Sequence, residues 1–304
     1  MGKRIIAVLL CACVLLAGCA GMQNGGSSEA KPIEQKSLDD YSWHELSRIS
    51  SEISQAPSDE EARSVAAKYG LLEADGSLTR QTKQLVLNGD RALDVRLAGI
   101  RHDDRSDGAG KAGLTFMSIG GLALRPMNEG QTIEGGWEGS ALRAWLAGEG
   151  KAMLEPELQA ALVPVNKWTN NVGITDDPAS VTPTSDAVWV FSAHEVCGDI
   201  FWDGDEFFYQ RGDEDVDGLV NSEGAQYEAF AQAGVTQTSD PTGMLSLANS
   251  TGASPWWYRT PYPFDWHIDN TGSNGFFYQV RESGYPESLG SPEVPASVVF
   301  GFCV

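Results

Sequence analysis

The densest chemical pattern in the chain is Asp213-Glu214-Asp215-Val216-Asp217-Gly218. Alternating carboxylates followed by a turn-forming glycine can wrap a hard cation such as Ca²⁺ with oxygen ligands. The twelfth position of such a loop calls for a bidentate carboxylate, but Gly224 stands there and Glu223 falls one residue early. Asp213, Asp215, Asp217 and Glu223 are therefore the candidate metal ligands, and an acidic solvated loop is the alternative. Residues 199–217 hold eight acids and one base, Arg211, interleaved with Phe201, Trp202, Phe207, Phe208 and Tyr209. Rings that stack on the C–H faces of a sugar, beside acids that accept its hydroxyl hydrogen bonds, suit carbohydrate recognition. Residues 261–275 repeat the mixture with Trp266, His267, Asp269, Asn270 and Asn274. Trp202, Trp266, His267, Asp269 and Asn270 are the candidate ligand-binding residues. The competing reading makes these aromatics a satellite core beneath long loops, with the polar members left outside because burying them unpaired costs a few kcal/mol each.

Other chemistries find little support. The histidines His44, His102, His194 and His267 form no H-x-H or H-x-x-x-H pair, so zinc spacing is missing. There is no G-x-S-x-G elbow, phosphate loop or dinucleotide fingerprint. His102-Asp103-Asp104 reads as a polar loop or as a small cation site. With 21 Lys and Arg against 42 Asp and Glu, the formal charge is −21. Phosphate backbones would repel such a chain, which excludes nucleic acid as a partner.

The first twenty residues speak to location. Lys3-Arg4 precede an apolar run over residues 5–16, then Leu16-Ala17-Gly18-Cys19. Twelve residues rise about 18 Å as a helix, short of a hydrocarbon core of about 30 Å. The segment 1–18 reads as an export signal, and the Leu-Ala-Gly-Cys run resembles a bacterial lipobox, which implies lipidation at Cys19. The expected location is the outer face of the cytoplasmic membrane, at the cell surface on a lipid anchor. Cys11 and Cys13 would leave with the signal, so Cys197 and Cys303 remain. The expected pairing is a disulfide between them, closing a loop of about a hundred residues. It would be worth roughly 4 to 5 kcal/mol in the loop-entropy model. Two separate buried thiols are the alternative.

These side chains need a scaffold. Residues 19–38 are poor in apolar groups and read as a flexible tether. Ser42-x-x-Glu45 and Ser58-x-x-Glu61 are capping-box spacings that predict two amphipathic helices within 39–83, the second ended by Gly70. From Gln84 the period drops to two. Leu85 and Leu87, then Asn88-Gly89, then Leu93, Val95 and Leu97 predict a hairpin. Leu142, Trp145, Leu146, Leu154, Leu158 and Leu162 return to helical spacing within 137–162, and Ser192-x-x-Glu195 is a third capping box. Apolar runs at 256–258, 276–278 and 298–304 predict strands joined by long loops. Helices early and strands late give an α+β class.

Four motifs then follow in order: Trp137-x-x-Ser140-x-Leu142-Arg143-x-Trp145-Leu146, Ser192-x-x-Glu195, Glu223-Gly224-x-Gln226-Tyr227 and Trp256-Trp257-x-Arg259-Thr260-Pro261. Together they resemble an uncharacterised domain-of-unknown-function family of bacterial surface lipoproteins, over residues 84–304. That family is similar, more distantly, to C-type-lectin-like domains, including the formylglycine-generating-enzyme type. The resemblance implies a small twisted antiparallel sheet with long loops, preceded here by the helical pair. Val299-Phe300 stand where the family commonly has Arg-Pro, so the last strand is expected to pack apolarly. The function expected is non-catalytic recognition of a glycan, peptide or partner protein through loops 199–217 and 261–275. The alternatives are an extracellular enzyme, either of formylglycine-generating type or hydrolytic, and a purely structural envelope lipoprotein.

Overall fold

Serines set three residues ahead of a glutamate start the early helices. The computed structural model describes residues 32–88, 91–175, 177–201, 216–246, 254–263 and 275–304. In it, Ser42 caps α1 (Trp43–Ser54): its hydroxyl accepts from Glu45 N–H, and the Glu45 carboxylate accepts from Ser42 N–H. Ser58 caps α2 (Asp59–Lys68) by accepting from Glu61 N–H, and Gly70 ends that segment at φ 70°.

The chain continues through β1 (Lys83–Leu87), β2 (Arg91–Ile100), β3 (Leu114–Ile119) and β4 (Leu124–Arg125). Next come α3 (Ala141–Trp145), a π-turn (Leu146–Gly150), α4 (Pro156–Ala161), β5 (Val165–Asn170), β6 (Val181–Asp186) and β7 (Val188–Trp189). Three short helices follow: α5 (Ala193–Cys197), α6 (Val216–Asn221) and α7 (Glu228–Gln232). The last elements are β8 (Trp256–Pro261), β9 (Phe277–Val280), β10 (Ser288–Gly290), β11 (Ala296–Ser297) and β12 (Gly301–Cys303). Among the described residues the class is α+β, with several antiparallel sheets and few helices.

The first sheet has the order β1-β2-β3-β12-β7, with every neighbouring pair antiparallel. The second has the order β10-β9-β8-β11-β4, in which only β8 and β11 run parallel. A separate ribbon pairs β5 with β6. The hairpin read at residues 85–97 forms, with Leu85 opposite Leu93 and Lys83 opposite Val95. The helical spacing of 137–162 does not give one helix. Pro156 opens α4 as its first residue and cannot sit inside a longer helix, while Gly148 and Gly150 weaken the turn before it.

Directly paired residues share a face of a sheet, which sorts the core in two. The row Leu97–Phe116–Phe302–Val188 turns toward α1, whose Trp43 meets the Phe116 and Phe302 rings edge-on at 5.6 Å each. Leu46, Ile49 and Ile53 are fully buried on the same helix, each worth about 1.5–3 kcal/mol relative to exposure. Gly113 permits this closeness: a Cβ there would collide with the Ser50 backbone carbonyl. On the other face Met117 joins a second cluster with Phe191, Tyr227, Phe230, Trp256, Tyr258, Tyr278 and Val299. Val299 and Phe300 are buried among apolar groups, as the sequence at that place suggested. The helical pair is thus integral to the body, and Glu34–Val304 form a single unit. Its packing starts inside the expected tether, since Lys36 pairs with Glu45 and Leu38 is buried. Among the described residues no helix is long and apolar enough to cross a membrane.

Candidate functional site

Five ionisable side chains meet around β5: Asp103, Lys167, Glu195, Glu223 and Arg259, all buried. Each is delivered by a different element. On β5 the alternation of Val165, Lys167 and Thr169 turns all three inward. Glu195 belongs to the capping box of α5, where its carboxylate accepts from Ser192 N–H at 3.1 Å. Arg259 is central in β8, a strand buried along its whole length. Asp103 follows β2 in a segment laid beside β5, with Asn166 N–H donating to Asp104 O at 2.8 Å and Ser106 N–H to Pro164 O at 3.0 Å.

The bonds close on one another. Arg259 donates from Nη1 to Glu195 Oε2 and from Nη2 to Oε1, the latter at 2.9 Å. Its Nε donates to Thr169 Oγ1 at 2.7 Å, and its remaining donors reach the carbonyls of Val190 and Trp168. Lys167 Nζ lies 2.8 Å from Asp103 Oδ1 and 2.5 Å from Glu195 Oε1. It also donates to the Tyr227 hydroxyl at 2.8 Å, and that hydroxyl donates to Asp103 Oδ1 at 2.7 Å. Thr115 Oγ1 donates to Asp103 Oδ2 at 2.7 Å. The ammonium sits over the Trp189 ring at 4.7 Å. The His102 ring stacks on Tyr227 with centroids 3.8 Å apart and covers the network from outside.

Two cations thus balance two carboxylates, and a fifth group stands beside them. Burial works against the Asp103 carboxylate, yet Lys167 and His102 hold it well below the usual carboxylate range. Burial opposes ionisation of Glu195 too, and Arg259 with Lys167 still bring it below its ordinary value. Glu223 differs. Burial pushes it up to about 7, against the pull of the Thr260 hydroxyl, Arg259 and the Asn170 N–H. Its Oε1 accepts from Asn170 N–H at 2.9 Å and its Oε2 from Thr260 Oγ1.

The residues singled out in the sequence are distributed unevenly. Trp202, Asp213, Asp215, Trp266, His267, Asp269 and Asn270 lie outside the described residues, as does Cys19. Asp217 falls in α6, and Glu223 is turned into the interior as just described. Among the described residues no group of three or more His, Cys, Asp or Glu is arranged to hold a metal ion. The expected bridge between Cys197 and Cys303 is corrected: both are free, buried thiols. Topology separates them. Cys197 ends α5 against the Tyr258 hydroxyl, whereas Cys303 lies in β12 against Thr115 and Asp103. Asp103 stands in a stretch whose sequence reads as a polar loop, and nothing local in the sequence marks Lys167 beyond the inward alternation of β5, which places a lysine between Val165 and Thr169.

The roots of both expected loops are described. Asn221 clamps Ile200 from both sides, its Oδ1 accepting from Ile200 N–H at 2.8 Å and its Nδ2 donating to Ile200 O at 3.1 Å. Gln237 does the same for Phe201, at 3.0 Å in each direction, while the Phe201 side chain is 63% exposed. Across the β8–β9 connection, Tyr262 N–H donates to Phe276 O at 2.8 Å and Thr175 N–H to Pro263 O at 3.1 Å.

The motif residues Trp137, Ser140, Glu195, Glu223, Tyr227 and Arg259 are all buried here, and residues 115–284 match the family described as a domain of unknown function, DUF6273. The chain belongs to that family. The DUF6273 match takes in Lys167, Glu195, Glu223, Tyr227 and Arg259, while Asp103 and β12 flank it. Comparison with curated proteins finds no match, and neither does comparison with solved structures.

Proposed function

We propose that this DUF6273 protein is a lipid-anchored surface protein whose C-type-lectin-like body presents loops 199–217 and 261–275 for recognition of a glycan, peptide or partner protein. The observation that carries the reading is the anchoring of both loop roots. Asn221 and Gln237 fix the first loop's entry, and the Tyr262–Phe276 and Thr175–Pro263 bonds fix the base of the second. Loops held at their bases by a rigid scaffold can vary in sequence without cost to the core, and binding residues concentrate on such loops. The charge of −21 favours partners that are neutral or basic. The Leu-Ala-Gly-Cys19 run supports the anchor.

The test is a glycan and surface-protein array probed with the folded body, followed by Trp266→Ala with Asp269→Ala. The double variant is expected to lose binding to whatever ligand the array identifies, with the melting temperature unchanged. An equal loss of folding would assign these two residues to the core and overturn the reading.

A further inference from the structure

One pair in the interior combines an amine with a carboxylate inside a ready-made proton-transfer environment. Lys167 Nζ and Asp103 Oδ1 are 2.8 Å apart, with both side chains 2% exposed. We propose that they condense to an intramolecular amide between Lys167 Nζ and Asp103 Cγ, a covalent cross-link joining β5 to the segment that follows β2.

Three observations carry this. The two backbones already lie side by side, bridged at Arg105 and Val165 and hydrogen-bonded from Asn166 to Asp104 and from Ser106 to Pro164. The reacting atoms are therefore held by the fold, which gives an intramolecular reaction an effective concentration far above anything in solution. A proton carrier and a counter-charge touch the right atoms. Glu195 Oε1 is 2.5 Å from Nζ, and the Tyr227 hydroxyl reaches both Nζ at 2.8 Å and Oδ1 at 2.7 Å. The Thr115 hydroxyl, 2.7 Å from Oδ2, donates to the oxygen on which negative charge grows during attack. The driving force is electrostatic. An ammonium and a carboxylate held out of water each carry a large desolvation penalty, and a neutral amide removes both charges. Glu195 and Arg259 remain as a balanced pair.

The step balances without any co-reactant. The Lys167 ammonium passes one proton through the Tyr227 hydroxyl to Oδ1, so that a neutral amine faces a neutral carboxyl group, and Nζ attacks Cγ to form the C–N bond. Glu195, against Nζ, offsets the positive charge that forms on nitrogen. A second proton leaves nitrogen by the same hydroxyl to Oδ1, the C–O bond breaks, and Oδ1 departs as water. Nζ keeps one hydrogen, Oδ2 becomes the amide carbonyl oxygen, and Glu195 and Tyr227 end as they began.

Mass spectrometry of the proteolysed full-length protein decides the matter. The expected result is a branched species that joins the Asp103 and Lys167 peptides, lighter than their sum by one water, with no tryptic cleavage after residue 167. Lys167→Arg is expected to give separate linear peptides, and Asp103→Asn the same branched species by loss of ammonia. Glu195→Gln is expected to slow appearance of the cross-link in a time course after refolding. Recovery of linear peptides with a free Lys167 ε-amine from folded wild-type protein would overturn the proposal and leave the pair as an ion pair. That readout needs no ligand and no variant that folds.

Discussion

Arg259 grips Glu195 with both terminal nitrogens, and Glu195 is at the same time the residue that closes the cap of α5. The start of a helix and the middle of a β-strand are thereby tied through one carboxylate. Lys167 and Asp103 extend the tie to the ribbon and to the segment after β2.

Removing the guanidinium should be among the most damaging single changes in this protein. Arg259→Met leaves the carbonyls of Val190 and Trp168 without their donor and strips Glu195 of its main counter-charge. Breaking one side of a buried ion pair typically costs about 3–5 kcal/mol. Urea unfolding should show a loss of that size, with Arg259→Lys recovering only part of it because an ammonium cannot reproduce the fork.

Glu223 gives stability a slope with pH on the side opposite to most carboxylates. Its value in the folded chain, about 7, lies above its ordinary 4.5, so between those limits the folded state holds more protons than the unfolded one. Stability from this group is fully present below pH 4.5, declines as pH rises through about 7, and is flat beyond. Glu195 acts the other way. Its contribution is present above the ordinary carboxylate range and is lost as pH falls through its lowered folded value. Urea midpoints taken from pH 4 to pH 8, on wild type and on Glu223→Gln, separate the terms: the decline toward pH 7 should disappear in the variant. An unchanged slope would show that burial does not raise Glu223 above its ordinary value.

The thiols should be inert in the native protein. Burial pushes Cys197 up to about 12, and burial together with Asp103 pushes Cys303 well above the ordinary thiol range. Since the thiolate is the reactive species, alkylation of both at pH 8 should await unfolding. The melting temperature should be the same with and without a reducing agent. A fall under reduction would restore the bridge.

Gly113→Ala tests the seating of α1 on the first sheet. A methyl group there has no room against the Ser50 backbone, so the helix must lift from Phe116 and Phe302. Overpacking of this kind costs about 1–3 kcal/mol. Gly130→Ala, with open space around its Cβ position, should be close to neutral in the same thermal melt.

What could be read from the sequence was whatever is decided locally. The caps at Ser42, Ser58 and Ser192 each rest on a contact three residues away, and the hairpin of β1 and β2 on simple alternation. The charged network was hidden because its bonds join residues far apart. Asp103 is 64 positions from Lys167, and Glu195 is 64 from Arg259. A polar run such as 102–111 looks solvated until a buried lysine from another strand is known to face it. The cysteine pairing failed for the same reason: two thiols distant in sequence carry no mark of which element each will face.

The position of β3 has a consequence for anyone cutting this gene. Both of its neighbours, β2 and β12, lie beyond the borders of the matched stretch 115–284, and so does the acid that answers Lys167. An excised fragment with those borders would carry an orphan strand and a cation without its counter-ion. The inherited signature is thus smaller than the autonomous folding body, and the flanks must travel with it whenever it is transplanted.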